Sequence, residues 1–173
     1  MYRWFGSADV PWALLDWEAA ASKEKPFSEV GRMFWRMVMR EWSGFDAIPQ
    51  REYQRMFAKY REVHSYDLME TNELARYKKM PPVVCAYLGG DISRSPQLAW
   101  TTNRKVAEGF ARGHRGYCAP RPQIFDVGIP KASISFVCND RAEAELVLFK
   151  RLTISKFLKR GGRVTSVDTS DRS

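Results

Sequence analysis

The first 80 residues alternate apolar and polar positions with the period of an α-helix. Apolar residues recur three and four positions apart, which predicts three helices: a first capped by Asp9 or Ser7 with Pro11 in its first turn, a second capped by Ser28 and a third opened by Pro49. Gly44 is a natural stop for the second helix, and a shorter fourth helix is predicted over residues 71–79. The apolar stripes are Val30, Met33, Phe34, Met37 and Val38 in the second helix and Tyr53, Met56, Phe57 and Tyr60 in the third. Such stripes are typical of a helix–helix core, and a groove for a partner is the alternative.

Pro81 and Pro82 mark a boundary between elements, because neither residue can donate a backbone hydrogen bond. After them the pattern of apolar and polar residues changes. A short apolar run then predicts a buried strand that ends at the pair Gly89-Gly90, and a helix follows over residues 101–112. Three further strands are predicted over residues 123–129, 133–138 and 144–149. We therefore expect an α+β protein with a helical region over residues 1–80, a β-containing core over 81–160 and a mobile polar tail over 161–173.

The charge of the chain is uneven, and it is concentrated in the second half. The net charge is +8, of which residues 1–80 contribute +1 and residues 81–173 contribute +7. A basic surface attracts polyanions, whether nucleic acid, a dinucleotide or an acidic protein face, and a solvated basic surface is the simpler alternative. No apolar run approaches the roughly 20 residues of a membrane span. The first residues do not resemble a secretory signal, so we expect a cytoplasmic protein without membrane contact.

The cysteines do not predict a metal centre. Cys85, Cys118 and Cys138 are widely spaced, and neither His64 nor His114 stands in a ligand spacing with them. We expect free, partly buried thiols and no metal ligands.

Three segments that follow one another along the second half carry the candidate chemistry. The first is a predicted strand ending in Tyr87-Leu88-Gly89-Gly90, and the second is a Trp-Thr-Thr sequence at 100–102 that leads into a helix. The third opens a strand with Glu143 and Glu145, two positions apart, which places both carboxylates on one strand face. Taken alone, each segment has a simpler interpretation as a turn, a helix cap or a solvated pair.

Together, the three segments resemble the bacterial and phage mono-ADP-ribosyltransferases of the arginine–serine–glutamate class. The resemblance extends over residues 81–149. The matching positions are Trp100-Thr101-Thr102, Val106-Ala107, Phe110-Ala111, Asp140-Arg141 and Glu143-Ala144-Glu145.

The resemblance implies a split pair of small antiparallel sheets that grip NAD, used as a substrate, in a cleft. It implies that Glu145 hydrogen-bonds the ribose next to nicotinamide, that Glu143 orients the nucleophile, and that an arginine side chain is the favoured acceptor. The NAD-binding positions it implies are Tyr87, Gly89, Arg94, Trp100, Thr101, Thr102 and Phe110.

The chemistry of the transfer suits these residue types. Breaking the nicotinamide–ribose bond builds positive charge on the sugar, as glycoside cleavage does. A carboxylate stabilises that charge when it is held in place beforehand. Two carboxylates on one face also raise each other's proton affinity, which favours acid–base work.

Two positions depart from the pattern of the family. Leu88 stands where the family has its phosphate-binding arginine, and Ala99 stands where it has a serine. The phosphate contact has then moved to another basic residue, such as Arg94 or Arg104, or catalysis has been lost.

Three functions therefore stay open at the level of sequence. The first is an active transferase, a phage or bacterial effector or toxin that modifies a host protein recognised by the helical region and the basic surface. The second is a degenerate scaffold that acts by binding, for example as an anti-CRISPR-like, anti-defence inhibitor of a nucleic-acid-handling complex. The third is direct nucleic-acid binding, which is not favoured because no recognition helix or RNP-like segment occurs.

Overall fold

The chain is an α+β protein, as the sequence predicts. The computed structural model describes residues 8–45, 48–90, 97–113, 121–139, 142–152 and 154–167. The helices of these residues are α1 (Val10–Ala21), α2 (Phe27–Glu41), α3 (Gln50–Lys59), α4 (Thr71–Lys79), α5 (Arg104–Ala111) and α6 (Ile154–Lys159). The strands are β1 (Val83–Gly90), β2 (Ala99–Thr101), β3 (Gln123–Pro130), β4 (Ile134–Cys138), β5 (Glu145–Leu148) and β6 (Arg163–Ser166).

The four helices before residue 80 lie where the apolar periodicity predicts them. The fourth has its predicted bounds, and Pro49 occupies the N-cap of α3. The predicted cap of α2 is wrong by two residues: Pro26 is the N-cap, and Ser28 lies inside the first turn. Proline fits this position because its fixed φ suits a helix start, where a missing N–H costs little. Gly44 ends a 3₁₀ turn that follows α2.

The six strands form one antiparallel sheet in the order β4-β5-β2-β1-β3-β6. β1 and β3 pair along their whole length, whereas β1 and β2 share a single register pair, Tyr87 with Thr101. The sheet therefore consists of two three-stranded halves, β4-β5-β2 and β1-β3-β6, that meet at one point.

The helical region and the sheet share one hydrophobic core. The ring of Trp35 stacks on Phe57 with centroids 4.7 Å apart, and Trp42 meets Phe136 of β4 edge-on at 5.3 Å. The largest fully buried side chains are Trp35, Trp42, Tyr53, Tyr60, Phe34, Phe57, Phe136, Leu98, Ile129, Ile134, Leu146 and Leu148. Residues from both sides of position 80 thus exclude water from the same interior.

Helix α5 packs on the sheet at Gly89. A Cβ atom built on Gly89 would lie 1.8 Å from the carbonyl oxygen of Ala107, so only glycine allows this approach. The glycine pair does not end the strand, as predicted, because β1 continues through Gly90. The predicted helix start at residue 101 is also corrected, since Thr101 belongs to β2 and Asn103 caps α5 through its side chain.

The segment after residue 150 contains two elements that the sequence pattern does not predict. Phe157 of α6 is buried and packs against Phe125 and Trp100. Strand β6 then pairs with β3, and Arg163 forms an ion pair of 3.2 Å with Asp126. The predicted tail therefore begins with a strand, and residues 168–173 lie outside the described residues.

Across the described ranges, no helix combines the length and apolar character needed to cross a membrane.

Candidate functional site

Tyr87, Thr101 and Glu145 occupy one row across three neighbouring strands. Tyr87 of β1 pairs with Thr101 of β2, and Thr101 pairs with Glu145 of β5. Directly opposed residues of antiparallel strands project to the same face, with strands about 4.8 Å apart. Three of the predicted site residues, taken from all three candidate segments, therefore lie together on one face of the sheet.

Two threonines fix the backbone that leads into β5. The Thr101 hydroxyl donates to the carbonyl oxygen of Glu143 at 2.6 Å and accepts from the Asn103 N–H at 3.0 Å. The Thr102 N–H donates to the carbonyl oxygen of Ala144 at 3.1 Å. The second strand thus holds the segment on which both predicted glutamates stand.

That segment has an unusual backbone. Ala142 has φ of 57° and Ala144 has φ of 51°, the left-handed region that side chains other than glycine rarely adopt. Glu143 between them is buried, and the half-buried Glu145 is the first residue of β5. The prediction that Glu143 and Glu145 share one strand face assumed that both belong to the strand. Because β5 begins at Glu145, side chains alternate between faces only from that residue on, and the two glutamates differ in burial. Left-handed non-glycine residues concentrate at functional sites.

Arg76 of α4 contacts Thr102 and the end of β4, and it was not among the residues that the sequence singled out. Its Nη2 donates to the Thr102 hydroxyl at 3.0 Å, and its Nη1 lies 3.5 Å from the Cys138 carbonyl oxygen and 3.4 Å from Asn139 Oδ1. Burial lowers the pKa of the Arg76 guanidinium, against the raising effect of nearby Cys138 and Glu73.

A pocket of about 510 Å³ opens beside Arg76. It lies between α4 and the start of β1, and we call it the α4 pocket. Its lining residues are Asn72, Ala75, Arg76, Lys79, Met80, Pro81, Val84 and Thr102. The sequence signal that could have pointed to it is the spacing of residues 72, 76 and 79, which places their side chains on one helix face.

Polar side chains continue the row beyond Tyr87. The Cys85 thiol lies 3.4 Å from the Tyr87 hydroxyl and 3.7 Å from a carboxylate oxygen of Asp126, which also pairs with Arg163. The hydrogen bond with Cys85 raises the pKa of Tyr87, as do burial and the charge of Asp126, whereas the positive charge of Arg104 lowers it. Arg104, the first residue of α5, therefore affects the pKa of Tyr87, the residue of the row that lies on β1.

Other predicted positions lie elsewhere or have another role. Trp100 is 4% exposed, stacks with Phe157 and donates from Nε1 to the Gln97 carbonyl oxygen, so its ring belongs to the core on the opposite sheet face. Gly89 serves the packing of α5. Phe110 is half-buried in α5, and Arg94 lies outside the described residues.

The two departures from the family pattern are apolar in the structure as well. Leu88 is half-buried and packs against the core, and Ala99 pairs with Val147 of β5. Neither position offers a charged or hydroxyl group to a ligand.

Cys85 and Cys138 form no disulfide; the first is exposed and the second is buried, while Cys118 and His114 lie outside the described residues. Among the residues that the structure describes, no three His, Cys, Asp or Glu side chains come together as metal ligands.

The sequence matches no protein-family model, and neither a curated protein nor a solved structure is significantly similar to it.

Proposed function

We propose that the chain is a mono-ADP-ribosyltransferase that transfers ADP-ribose from NAD to a protein side chain, with arginine favoured. The observation that carries the proposal is the row formed by Tyr87, Thr101 and Glu145. The resemblance implies a site shared by a first strand, a second strand and a glutamate strand. In this sheet β1, β2 and β5 are neighbours, and the sheet narrows to one register pair where its halves meet.

Glu145 is proposed as the catalytic carboxylate. When the bond between nicotinamide and the ribose breaks, nicotinamide leaves with the bonding electrons and positive charge develops on the sugar. A carboxylate whose backbone is fixed in advance stabilises that charge without reorganising. The acceptor nitrogen then bonds to the ribose carbon and loses its proton.

The Thr101 and Thr102 hydrogen bonds support this role, because they fix the backbone immediately before Glu145. Glu143 is proposed to orient the acceptor. Glu143 is only 7% exposed.

Arg104 is proposed to replace the family arginine that Leu88 lacks. It is the first residue of α5, the helix that packs on β1 at Gly89, and its positive charge lowers the pKa of Tyr87. Its ion pair with Glu108 is a surface pair of 3.1 Å, and such pairs contribute little, so the guanidinium can exchange it for a phosphate.

The proposed setting is the cytoplasm of a bacterial host, where the chain acts as a phage or bacterial effector. Its partner would be a host protein, held by the helical region and by the basic residues of the second half, which carries +7 of the net charge.

A second candidate is a scaffold that inhibits a host nucleic-acid-handling complex by contact alone. It is favoured by Leu88 and Ala99, which remove a charge and a hydroxyl from the positions that would hold NAD.

Labelled NAD distinguishes the two candidates. The purified chain, its Glu145→Gln variant and a control, Glu29→Gln on an exposed face of α2, are incubated with labelled NAD and a lysate of the bacterial host. A labelled protein that disappears only with Glu145→Gln supports the transferase. Absence of labelling together with absence of an NAD-dependent thermal shift contradicts it, and the contact inhibitor then becomes the proposal to test.

A further inference from the structure

The α4 pocket is large enough for a small ligand and does not coincide with the row of Tyr87, Thr101 and Glu145. Its volume of about 510 Å³ falls within the roughly 300–1,000 Å³ of small-molecule sites. Val84, which lines it, stands three positions before Tyr87 on β1, and side chains alternate between faces along a strand. The pocket therefore opens on the sheet face opposite to the row.

Two of the residues that line the pocket are basic. Arg76 and Lys79 lie about one helical turn apart on α4. Arg76 donates to a threonine hydroxyl, a backbone carbonyl and an asparagine amide, and the carboxylate of nearby Glu73 acts on it electrostatically. The half-buried guanidinium keeps its positive charge, and its planar donors match phosphate geometry.

The hydrogen bonds recorded at the C-terminal carbonyls of α4 come from a residue other than Arg76 and Lys79. The last carbonyls of α4 carry the negative end of the helix dipole. Lys131, from the turn after β3, donates its ammonium to the carbonyl oxygens of Lys78 and Met80 at 3.0 and 3.2 Å. Lys131 thus provides hydrogen-bond donors to carbonyl groups at the C-terminus of α4. Arg76 and Lys79 line the pocket.

The lining also includes apolar residues, namely Met80, Pro81 and Val84, together with Ala75. A flat ring gains contact on such a surface, and methionine packs well against aromatic groups. The basic and the apolar lining residues together fit a ligand with one apolar planar end and one anionic end.

We propose that the α4 pocket binds a nucleotide, with its phosphates on Arg76 and Lys79 and its base against Met80, Pro81 and Val84. This inference goes beyond the proposed transferase function and does not depend on it, because binding here requires neither Glu145 nor the transfer of ADP-ribose.

Calorimetric titration of the full chain with ADP tests the inference, with adenosine as the ligand that lacks phosphate. ADP is expected to bind, and adenosine to bind at least about tenfold more weakly, since charge-assisted hydrogen bonds contribute that much or more. Arg76→Gln and Lys79→Gln are each expected to weaken ADP binding about tenfold. Lys78→Gln, an exposed neighbour on α4 outside the pocket lining, is the matched control and leaves the affinity unchanged.

Three results would overturn the inference. The first is no heat of ADP binding, and the second is equal affinity for adenosine and ADP. The third is an unchanged ADP affinity in the variants, because ADP then binds elsewhere, including the face of Glu145. Lys79 is exposed, so Lys79→Gln keeps the test decisive if Arg76→Gln does not fold. The labelling experiment with Glu145→Gln fails or succeeds independently of these titrations.

Discussion

The hydroxyl oxygen of Thr101 lies 2.6 Å from the carbonyl oxygen of Glu143, so a side chain of the second strand holds the backbone that enters the fifth. Thr101 is 6% exposed, and the same oxygen accepts from the Asn103 N–H at the start of α5. One hydroxyl therefore connects the glutamate segment, the strand β2 and the cap of a helix.

Thr101→Val is expected to lower the free energy of unfolding by about 1–3 kcal/mol, because it leaves a buried carbonyl and an N–H without partners at nearly unchanged volume. Urea denaturation measures this loss. Thr165→Val, at an exposed position of β6, serves as the control and is expected to change stability by less than about 0.5 kcal/mol. Equal stability of the two variants would show that the Thr101 hydrogen bonds contribute nothing.

Gly89 and Gly90 are neighbours with opposite surroundings. An added Cβ at Gly89 meets the backbone of Ala107 and Ala111, whereas nothing lies within 4 Å of one at Gly90. Gly89→Ala is therefore expected to cost about 3 kcal/mol, since backbone atoms cannot move aside without displacing α5. Gly90→Ala is expected to stay within about 0.5 kcal/mol of the parent protein. Thermal denaturation of both variants decides the matter, and similar midpoints would refute the close packing of α5 on β1.

The left-handed backbone at Ala144 predicts an unusual response to glycine. An L-residue in this conformation costs about 1–2 kcal/mol, which glycine avoids, while glycine adds about 0.5–1 kcal/mol of chain entropy to the unfolded state. Ala144→Gly is expected to leave stability unchanged or to raise it by about 1 kcal/mol. Ala19→Gly, at an exposed position of α1, is expected to lower it by about 1 kcal/mol. A loss at Ala144 as large as that at Ala19 would contradict the positive φ angle.

Glu18 is a buried carboxylate whose hydrogen bonds predict acid sensitivity. Burial alone would raise the pKa of Glu18, but hydrogen bonds from Lys59, Tyr60 and Ser22 outweigh it and hold the pKa below the usual 4.5. A carboxyl with a lowered folded-state pKa stabilises the protein above its unfolded pKa. That contribution is lost as the pH falls from about 4.5 through the folded-state value.

Glu18→Gln is expected to cost about 1.5 kcal/mol at neutral pH and to flatten the loss of stability below pH 4.5, because the titrating group is gone. Unfolding by urea at several pH values gives both quantities. Glu29→Gln is the control. It removes a carboxylate that lies 2.6 Å from the ammonium of Lys25 in an exposed ion pair, compared with 2.7 Å between Glu18 and Lys59, and it is expected to keep the acid dependence of the parent. A parent-like pH profile in Glu18→Gln would exclude Glu18 as its source.

The first five helices and the longer strands were predictable because each repeats its pattern over enough residues. The periodicity and the proline pair after Met80 delimit α4, and the apolar run from Gln123 delimits β3 to within one residue. β2 has only three residues, too few to show an alternation, and every residue of β6 is exposed. Such strands are defined by their partners in the sheet rather than by their own side chains.

The arrangement of the candidate site residues was not predictable from the sequence. The sequence singled out Tyr87, Thr101 and Glu145, yet their alignment depends on the crossovers that make β1, β2 and β5 neighbours. Arg76 resembles any basic residue in the last turn of a helix, and only the tertiary fold places it against Thr102. The burial of Trp100 likewise depends on Phe157 of α6, a helix without a clear signal of its own.

The interior shared by the helices and the sheet limits how this chain can be divided. A fragment starting at residue 81 would retain the row of Tyr87, Thr101 and Glu145 but would expose Phe136 to water, since its ring partners Trp42 and Phe57 would be removed. Fusing the β-containing half to another protein would therefore transfer an insoluble sheet rather than a portable domain. Substitutions that change the packing of the helices are therefore expected to disturb the strands of the sheet as well.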